Sequence, residues 1–556
     1  MISSKHLYFN SPKARRPRLT PRELAVATIS AALLLFMPWA WGGVVIWCTY
    51  FTLGLALSAL IAAVGDYRVQ ILGSSIWFGL LLFNAWGVPA SATAASSQWL
   101  EAVAFPLAAL FGQIIAAALL RDDIKSRSAA ESFRALMRQP IFWIGLTLFS
   151  YFAIQGLNPW GRVAERDLFW RIAKENPIKW LPSGLSAPLA SDEKDPGGMN
   201  AWRTIAIFAG PWLLFCALRV GLLRRRGYVM LGWLSVVGAV IVAGYGFTNQ
   251  PRYGESVMGF PVPAGAAPFG PFIYRNHAGV YFYLQAAIAL ALAFWHYRRT
   301  QNSATRGSPH LIAIFFSLLL ACASFLTYSV AASGLALTLI LFIAPAAYFL
   351  GMPAAVGQYG RRLSLALFLA FAFIFAILFS SNLKQLEGKL DSKIHEYEQT
   401  KSDARAPWRH STWTMATASG TERLLTGWGA GSYRWVSPYF QAQEKVLLNK
   451  KGKLSLRATY AHCDWLQMLA EWGIIGLTIA AVGLIWLLCW AIKTLKRGHP
   501  ESIPLAGVLV LFLFNMAIDF PVWFTPLLFS ATFISALMIS LIDDSLREGN
   551  QTNEKA

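Results

Sequence analysis

Charge is what this chain has least of. Of its 556 residues only 14% are Asp, Glu, Lys or Arg, against about 25% in an ordinary soluble domain. That excludes a soluble enzyme carried on a single anchor. Cysteine is scarce as well, five in all. Cys48, Cys216, Cys322 and Cys489 fall inside apolar runs and Cys463 at the edge of one, which excludes an intrachain disulfide framework and a Cys-based metal centre. No Walker loop and no dinucleotide fingerprint occurs, and no soluble domain or obvious repeat interrupts the apolar pattern.

Long hydrophobic runs take the place of these features. Apolar residues make up 56% of the chain, the mean hydropathy is +0.46, and the 23 Trp suit interfacial aromatic belts. The composition predicts an all-α polytopic membrane protein. A net charge of +20 invites a nucleic-acid partner, but its distribution argues for no nucleic acid. More than half of the 48 Lys and Arg sit in short loops and tails on one side, the positive-inside pattern.

Residues 1–23 form a basic tail (Lys13, Arg15, Arg16, Arg18, Arg22), expected in the cytoplasm. The first run, Leu24 to Trp41, reads as an uncleaved anchor because no clear small-residue cleavage site follows and a second span begins at once. Runs of span length recur to give about fourteen transmembrane helices. Eleven lie within 24–380, three within 473–542, and a second tail occupies 543–556. The even count returns both termini to the cytoplasm and places Arg121–Arg138, Arg219–Arg226, Arg298–Arg306, Arg361–Arg362 and Lys493–Arg497 inside. Three large loops remain outside: 158–200, with an acidic patch from Ser191; 248–277; and 381–472. The last opens with an amphipathic pattern from Leu383 to Lys401, where Leu386, Leu390 and Ile394 recur every four residues. That pattern suits a helix on the membrane surface or one packed on the loop.

The residues with chemical potential gather in these outer loops. His462 follows a basic run and precedes a helix on which Asp464, Gln467 and Glu471 share one face by spacing. Charge at a membrane boundary is costly unless paired or wet, so that face is expected to line a cavity. Histidine exchanges protons near neutral pH, which makes His462 the candidate catalytic base; a helix-capping histidine is the plain alternative. Arg409, Arg457 and Arg275 stand near span entrances, where a guanidinium binds phosphate oxygens bidentately; topology or headgroup contacts would place arginines there too. Asn276 and His277 are at one such entrance and suit either sugar recognition or capping. Gly427, Gly429 and Gly431 have the wrong spacing for a nucleotide loop and read as a structural turn needing positive φ. Asp519 ends a span in Asp519-Phe-Pro and reads first as a helix-end residue. No metal site is indicated.

Three pieces of this sequence resemble one family. Arg409…Trp413 precedes Gly427-Trp-Gly-Ala-Gly-Ser-Tyr433. His462-Cys-Asp-Trp-Leu-Gln-Met-Leu-Ala-Glu-Trp-Gly-Ile-Ile-Gly-Leu477 is the fullest piece, and Arg275-Asn-His-Ala-Gly279 the third. With the terminal Asp519-Phe-Pro521 they resemble the O-antigen ligase and O-antigen polymerase superfamily over the C-terminal half. Cys463 replaces the usual Asn, and Ser329-Val-Ala-Ala-Ser-Gly334 lacks the Arg expected in such a position. The resemblance implies a GT-C-like, metal-independent transferase without cofactors in a bacterial inner membrane. Its donor would be an undecaprenyl-diphosphate-linked glycan, and its acceptor a lipid A core or a growing glycan. In that picture His462 acts on the acceptor hydroxyl while arginines hold the diphosphate.

Glycan polymerase and protein O-oligosaccharyltransferase remain open within that superfamily. The absence of a carboxylate in the turn Trp39–Gly43 argues against the metal-dependent oligosaccharyltransferases. A bicarbonate-like solute transporter is the alternative of another class. It would concentrate polar residues at the bilayer midplane, whereas here they cluster at the outer rim.

Overall fold

The first helix shows how local sequence sets each element in the computed structural model, which describes residues 19–87, 96–121, 128–166, 169–187, 198–249, 255–262, 267–300, 309–351, 408–441, 458–497 and 499–543. Helix α1 (Pro21–Phe36) starts with Pro at its first position and a capping box, in which the Thr20 hydroxyl accepts from Glu23 N at 3.2 Å. Further helices follow at Ile46–Val64 (α2), Tyr67–Gly87 (α3), Ser96–Leu120 (α4), Ala129–Met137 (α5) and Pro140–Leu157 (α6). After the first long loop come Ala201–Gly221 (α7) and Arg225–Thr248 (α8). Then come Arg275–Thr300 (α9), Pro309–Leu326 (α10), Val330–Thr338 (α11) and Ala344–Gly351 (α12). Trp408–Glu422 (α13), Tyr433–Gln441 (α14), Asp464–Arg497 (α15), Ile503–Ile518 (α16) and Thr525–Ile542 (α17) complete the described chain.

Eleven of these helical segments are long and apolar enough to cross a membrane, and α16 is a shorter apolar helix. The protein is an all-α polytopic membrane protein. Of the about fourteen spans expected by length, the region 70–87 is helical within α3, but Gln70, Ser74, Ser75 and Asn84 dilute its hydropathy. The region 363–380 lies outside the described residues, as do the amphipathic stretch 383–401, Arg457 and most of the acidic patch after Ser191.

Small strands also appear in the loops after α6 and α8, where the sequence shows no strand pattern. β1 (Pro159–Arg166) pairs antiparallel with β2 (Phe169–Lys174) and parallel with β3 (Gly184–Ser186), and β4 (Ser256–Val257) pairs with β5 (Phe260–Pro261). Backbone groups at the membrane edge need partners, and short ladders supply them.

At the end of the bundle opposite His462, charge is tied down in pairs. Glu23 accepts from Leu223 N at 3.1 Å and pairs with Arg224, while Arg219 meets Asp543 at 2.8 Å. These contacts join α1, α7, α8 and α17, while α9, whose membrane-length window is entirely buried, packs on α8, α10, α16 and α17.

Candidate active site

The site is assembled where four separate stretches meet at one rim of the bundle: the start of α9, the turn after α16, the loop before α15, and α13. Helix α16 ends at Ile518, and Asp519 N closes it by donating to Asn515 O at 2.9 Å. Pro521 follows two residues later and cannot continue a helix. The chain therefore turns, and Asp519 is left buried just past the helix end.

Asp519 is the hub. His462 Nδ1 stands 3.4 Å from Asp519 Oδ1, near enough to form an ion pair when the imidazole is protonated. Asn276 Nδ2 donates to the other oxygen, also at 3.4 Å. Burial would push the Asp519 carboxyl up, but His462, His277 and Arg409 together hold it below the usual carboxylate range. The Asp519 side chain is only 5% exposed and that of His462 is 23% exposed, so an incoming molecule meets the imidazole first.

His462 is held in an unusual way. Its backbone φ is +52°, in the left-handed region that a residue with a Cβ seldom occupies. The indole N–H of Trp413 on α13 donates to the His462 carbonyl at 3.0 Å. Such a conformation persists only when the surroundings over-determine it, and Trp413 is one of the groups that do so. Aromatic rings wall the imidazole. Phe520 meets it edge-on with centroids 4.6 Å apart, and Tyr460 stacks on Phe520 at 4.5 Å and 9°. His277, fully enclosed in the first turn of α9, lies against Phe524 at 3.8 Å.

Asp464, Gln467 and Glu471 were expected to line a wet face; the structure seals all three at 2% exposure or less. Asp464 accepts from Val522 N at 3.3 Å, binding α15 to the Asp519 turn. Gln467 accepts from Ala461 N at 3.1 Å and donates to Glu471 at 3.2 Å. Glu471 accepts from Gly431 N at 2.8 Å and Tyr433 N at 3.1 Å. One relay of bonds thus runs from the His462 loop to the glycine-rich turn.

That turn is a packing device. Gly427, Gly429 and Gly431 all have positive φ. A Cβ on Gly427 would lie 2.4 Å from the Glu471 carbonyl, and one on Gly431 would lie 2.7 Å from Asn200 O. The close approach lets Trp428 N and Gly429 N bond the carbonyls of Ala470 and Glu471, both at 2.9 Å. From below, Gln155 at the end of α6 donates to Thr426 O at 2.8 Å and accepts from Ala430 N at 3.1 Å.

The structure therefore brings His462, Asn276, His277 and Arg409 around Asp519. Arg275 opens α9 beside Asn276 and is partly exposed. Sequence reasoning missed the centrality of Asp519, although its position at a span end next to Pro was visible. It also passed over Arg203 and Arg434, buried arginines at the same end of the bundle as the site. The signal available for Arg203 was a cation three residues into an apolar run. Among the described residues no group of three or more His, Cys, Asp or Glu is arranged to hold a metal ion.

Comparison with known proteins adds one finding. Residues 269–481, under half of the chain, match the profile of a family described as O-antigen ligase. No curated protein matches the chain. The matched segment carries Arg275, Asn276, His277, Arg409, the glycine-rich turn and His462, and stops before Asp519. The matched segment is thus similar to an O-antigen ligase domain, and it is built into a multi-pass, many-span helical membrane bundle.

Proposed function

We propose that the protein is a glycosyltransferase that moves a glycan from undecaprenyl diphosphate to an acceptor hydroxyl at the outer rim of a bacterial inner membrane. Its termini would be cytoplasmic, the loop 381–472 periplasmic, and the acceptor a lipid A core sugar or a growing polysaccharide. The observation that carries this reading is the His462–Asp519 contact at 3.4 Å, set beside Arg409 and the first turn of α9.

In this reading the Asp519 carboxylate faces Nδ1, which assigns Nε2 as the nitrogen that takes the acceptor proton. The acceptor oxygen attacks the anomeric carbon, the bond from that carbon to the phosphate oxygen breaks, and the diphosphate leaves with the electron pair. Asp519 stabilises the imidazolium as it forms, and Asn276 fixes the carboxylate's second oxygen. Arg409, Arg275 and Arg457 meet the charge that builds on the leaving diphosphate, the kind of stabilisation that gives most to the transition state. No metal or cofactor is needed for these steps. The buried Asp464, Gln467 and Glu471 act at one remove by holding the His462 loop and the glycine-rich turn in place.

The test is transfer by purified protein from undecaprenyl-diphosphate glycan, with EDTA present, for wild type and His462→Ala. Lipid A core, excess donor and a Ser/Thr peptide serve as separate acceptors, so the product names ligase, polymerase or protein transferase. Transfer by wild type that disappears in the variant supports the reading. Solute uptake in liposomes with no transfer to any acceptor would replace it with the transporter.

A further inference from the structure

Arg203 lies in the first turn of α7, in the half of the chain that precedes the matched segment. It is 7% exposed. Asn200 caps α7 by accepting from Trp202 N and Arg203 N, both at 3.0 Å. The same residue receives the glycine-rich turn, since Gly431 packs on its backbone, and Trp435 Nε1 donates to the adjacent Met199 O at 2.7 Å. This docking puts Arg203 within electrostatic range of Arg434, which is equally buried, and of Tyr460 in the aromatic wall beside His462.

The bonding of its guanidinium is lopsided. Nη1 is anchored on Gly198 O at 2.7 Å. The opposite edge, formed by Nε and Nη2, is the edge that grips an oxyanion with two parallel bonds. There Nη2 makes only a long 3.3 Å bond to Val44 O, and Nε is buried with no acceptor. Among the described residues Arg203 forms no ion pair. Glu101 acts on it only through space, from the wall of a cleft of about 300 Å³ between α2, α3 and α4 that Tyr50 also lines. Two neighbouring buried guanidiniums of like charge are costly to keep. A bidentate edge with one long bond at Nη2 and no acceptor at Nε suits a phosphate oxygen.

We infer that Arg203 is a further donor-binding residue, its Nε/Nη2 edge taking a phosphate oxygen of the lipid-linked diphosphate. This rests on the transferase reading above. The anion displaces the weak Val44 contact while Gly198 keeps the side chain in place. Lys has the charge but not the two-pronged edge, so a lysine here recovers only part of the binding.

The experiment uses full-length protein in phosphatidylethanolamine nanodiscs, comparing wild type, Arg203→Gln and Arg203→Lys. Binding of undecaprenyl diphosphate, of phosphatidylglycerol and of inorganic pyrophosphate is measured in separate arms, alongside KM and kcat for transfer. Arg203→Gln is expected to weaken undecaprenyl diphosphate binding by roughly tenfold or more, the scale of a lost charge-assisted hydrogen bond. KM should rise and kcat change little, the signature of binding shared by ground and transition states. Pyrophosphate binding should fall in parallel and phosphatidylglycerol binding should not. Arg203→Lys should lie between the two. Undiminished undecaprenyl diphosphate binding and KM in either folded variant would overturn the inference while leaving the transferase reading intact. An equal loss of phosphatidylglycerol binding would overturn it in favour of a general headgroup site. Wild-type protein that neither binds the lipid diphosphate nor transfers from it would remove both.

Discussion

Helices α9 and α15 are both long and apolar, and each brings candidate site residues to the same rim of the bundle at its first turn. Their shafts live in different surroundings. The whole membrane-length window of α9 is buried, against 6% of that of α15, although α15 is the more hydrophobic of the two. Lipid tails are as apolar as a leucine core, so hydrophobicity alone does not draw a helix to the centre of a bundle. Small residues and interhelical hydrogen bonds do. Gly279 of α9 sits where a Cβ would be 2.6 Å from the Cβ of Ala332, and Gln285 accepts from Ser235 Oγ at 2.8 Å and donates to Ser530 Oγ at 3.1 Å. The exposed face of α15 instead presents Val482, Ile485, Leu488 and Leu495. The candidate site residues lie at the ends, and the shafts differ in what surrounds them.

The largest effects should come from the ends. His462→Ala is expected to reduce transfer by about 10²- to 10⁴-fold, the range of a lost general base, with thermal stability in detergent unchanged. Asp519→Asn keeps the shape and removes the charge facing Nδ1. Loss of about 2 kcal/mol of charge-assisted stabilisation, roughly thirtyfold in kcat, is expected. The same variant tests a pH effect. The folded carboxyl lies below its usual value, so its stabilisation is present above the unfolded pKa of about 3.9 and is lost as pH falls through the folded value. Acid unfolding of wild type should therefore be steeper than that of Asp519→Asn; equal slopes would show that the charge is not stabilised.

Smaller effects should separate the shafts. Gly279→Leu on α9 forces side chains into a filled interface and should destabilise by about 1–3 kcal/mol, read as a lowered melting temperature. Leu488→Ala on α15 faces lipid and should stay within about 0.5 kcal/mol of wild type. A large loss in the second variant would mean that α15 is covered by protein, and the contrast between the helices would fail.

Much of the site was legible beforehand because its residues sit in short local patterns. His462 is marked by its position before a helix on which polar residues share one face, Arg409 by the segment shared with Trp413, and Gly427 and Gly431 by a turn that only glycine tolerates. Asp464, Gln467 and Glu471 were recognised as one face but given the wrong surroundings. Spacing shows that three polar side chains point the same way, and says nothing of what they meet. Here they meet backbone N–H groups of the Asp519 turn, the His462 loop and the glycine-rich turn. The strands of the loops after α6 and α8 were hidden for a related reason, since their pairing satisfies backbone groups and leaves little alternation of side chains.

Sequence by itself determined that the chain crosses a membrane many times and that its polar residues collect at one rim. Both follow from the cost of placing charge in hydrocarbon, a property of each segment taken alone. Tertiary structure alone decided that Asp519 and His462, 57 positions apart, come within 3.4 Å of each other, and that Asn200 at the start of α7 meets the glycine-rich turn from the other half of the chain. Those meetings depend on how helices pack and where their ends turn, which is fixed by the fit of surfaces between segments and is written in no single one of them.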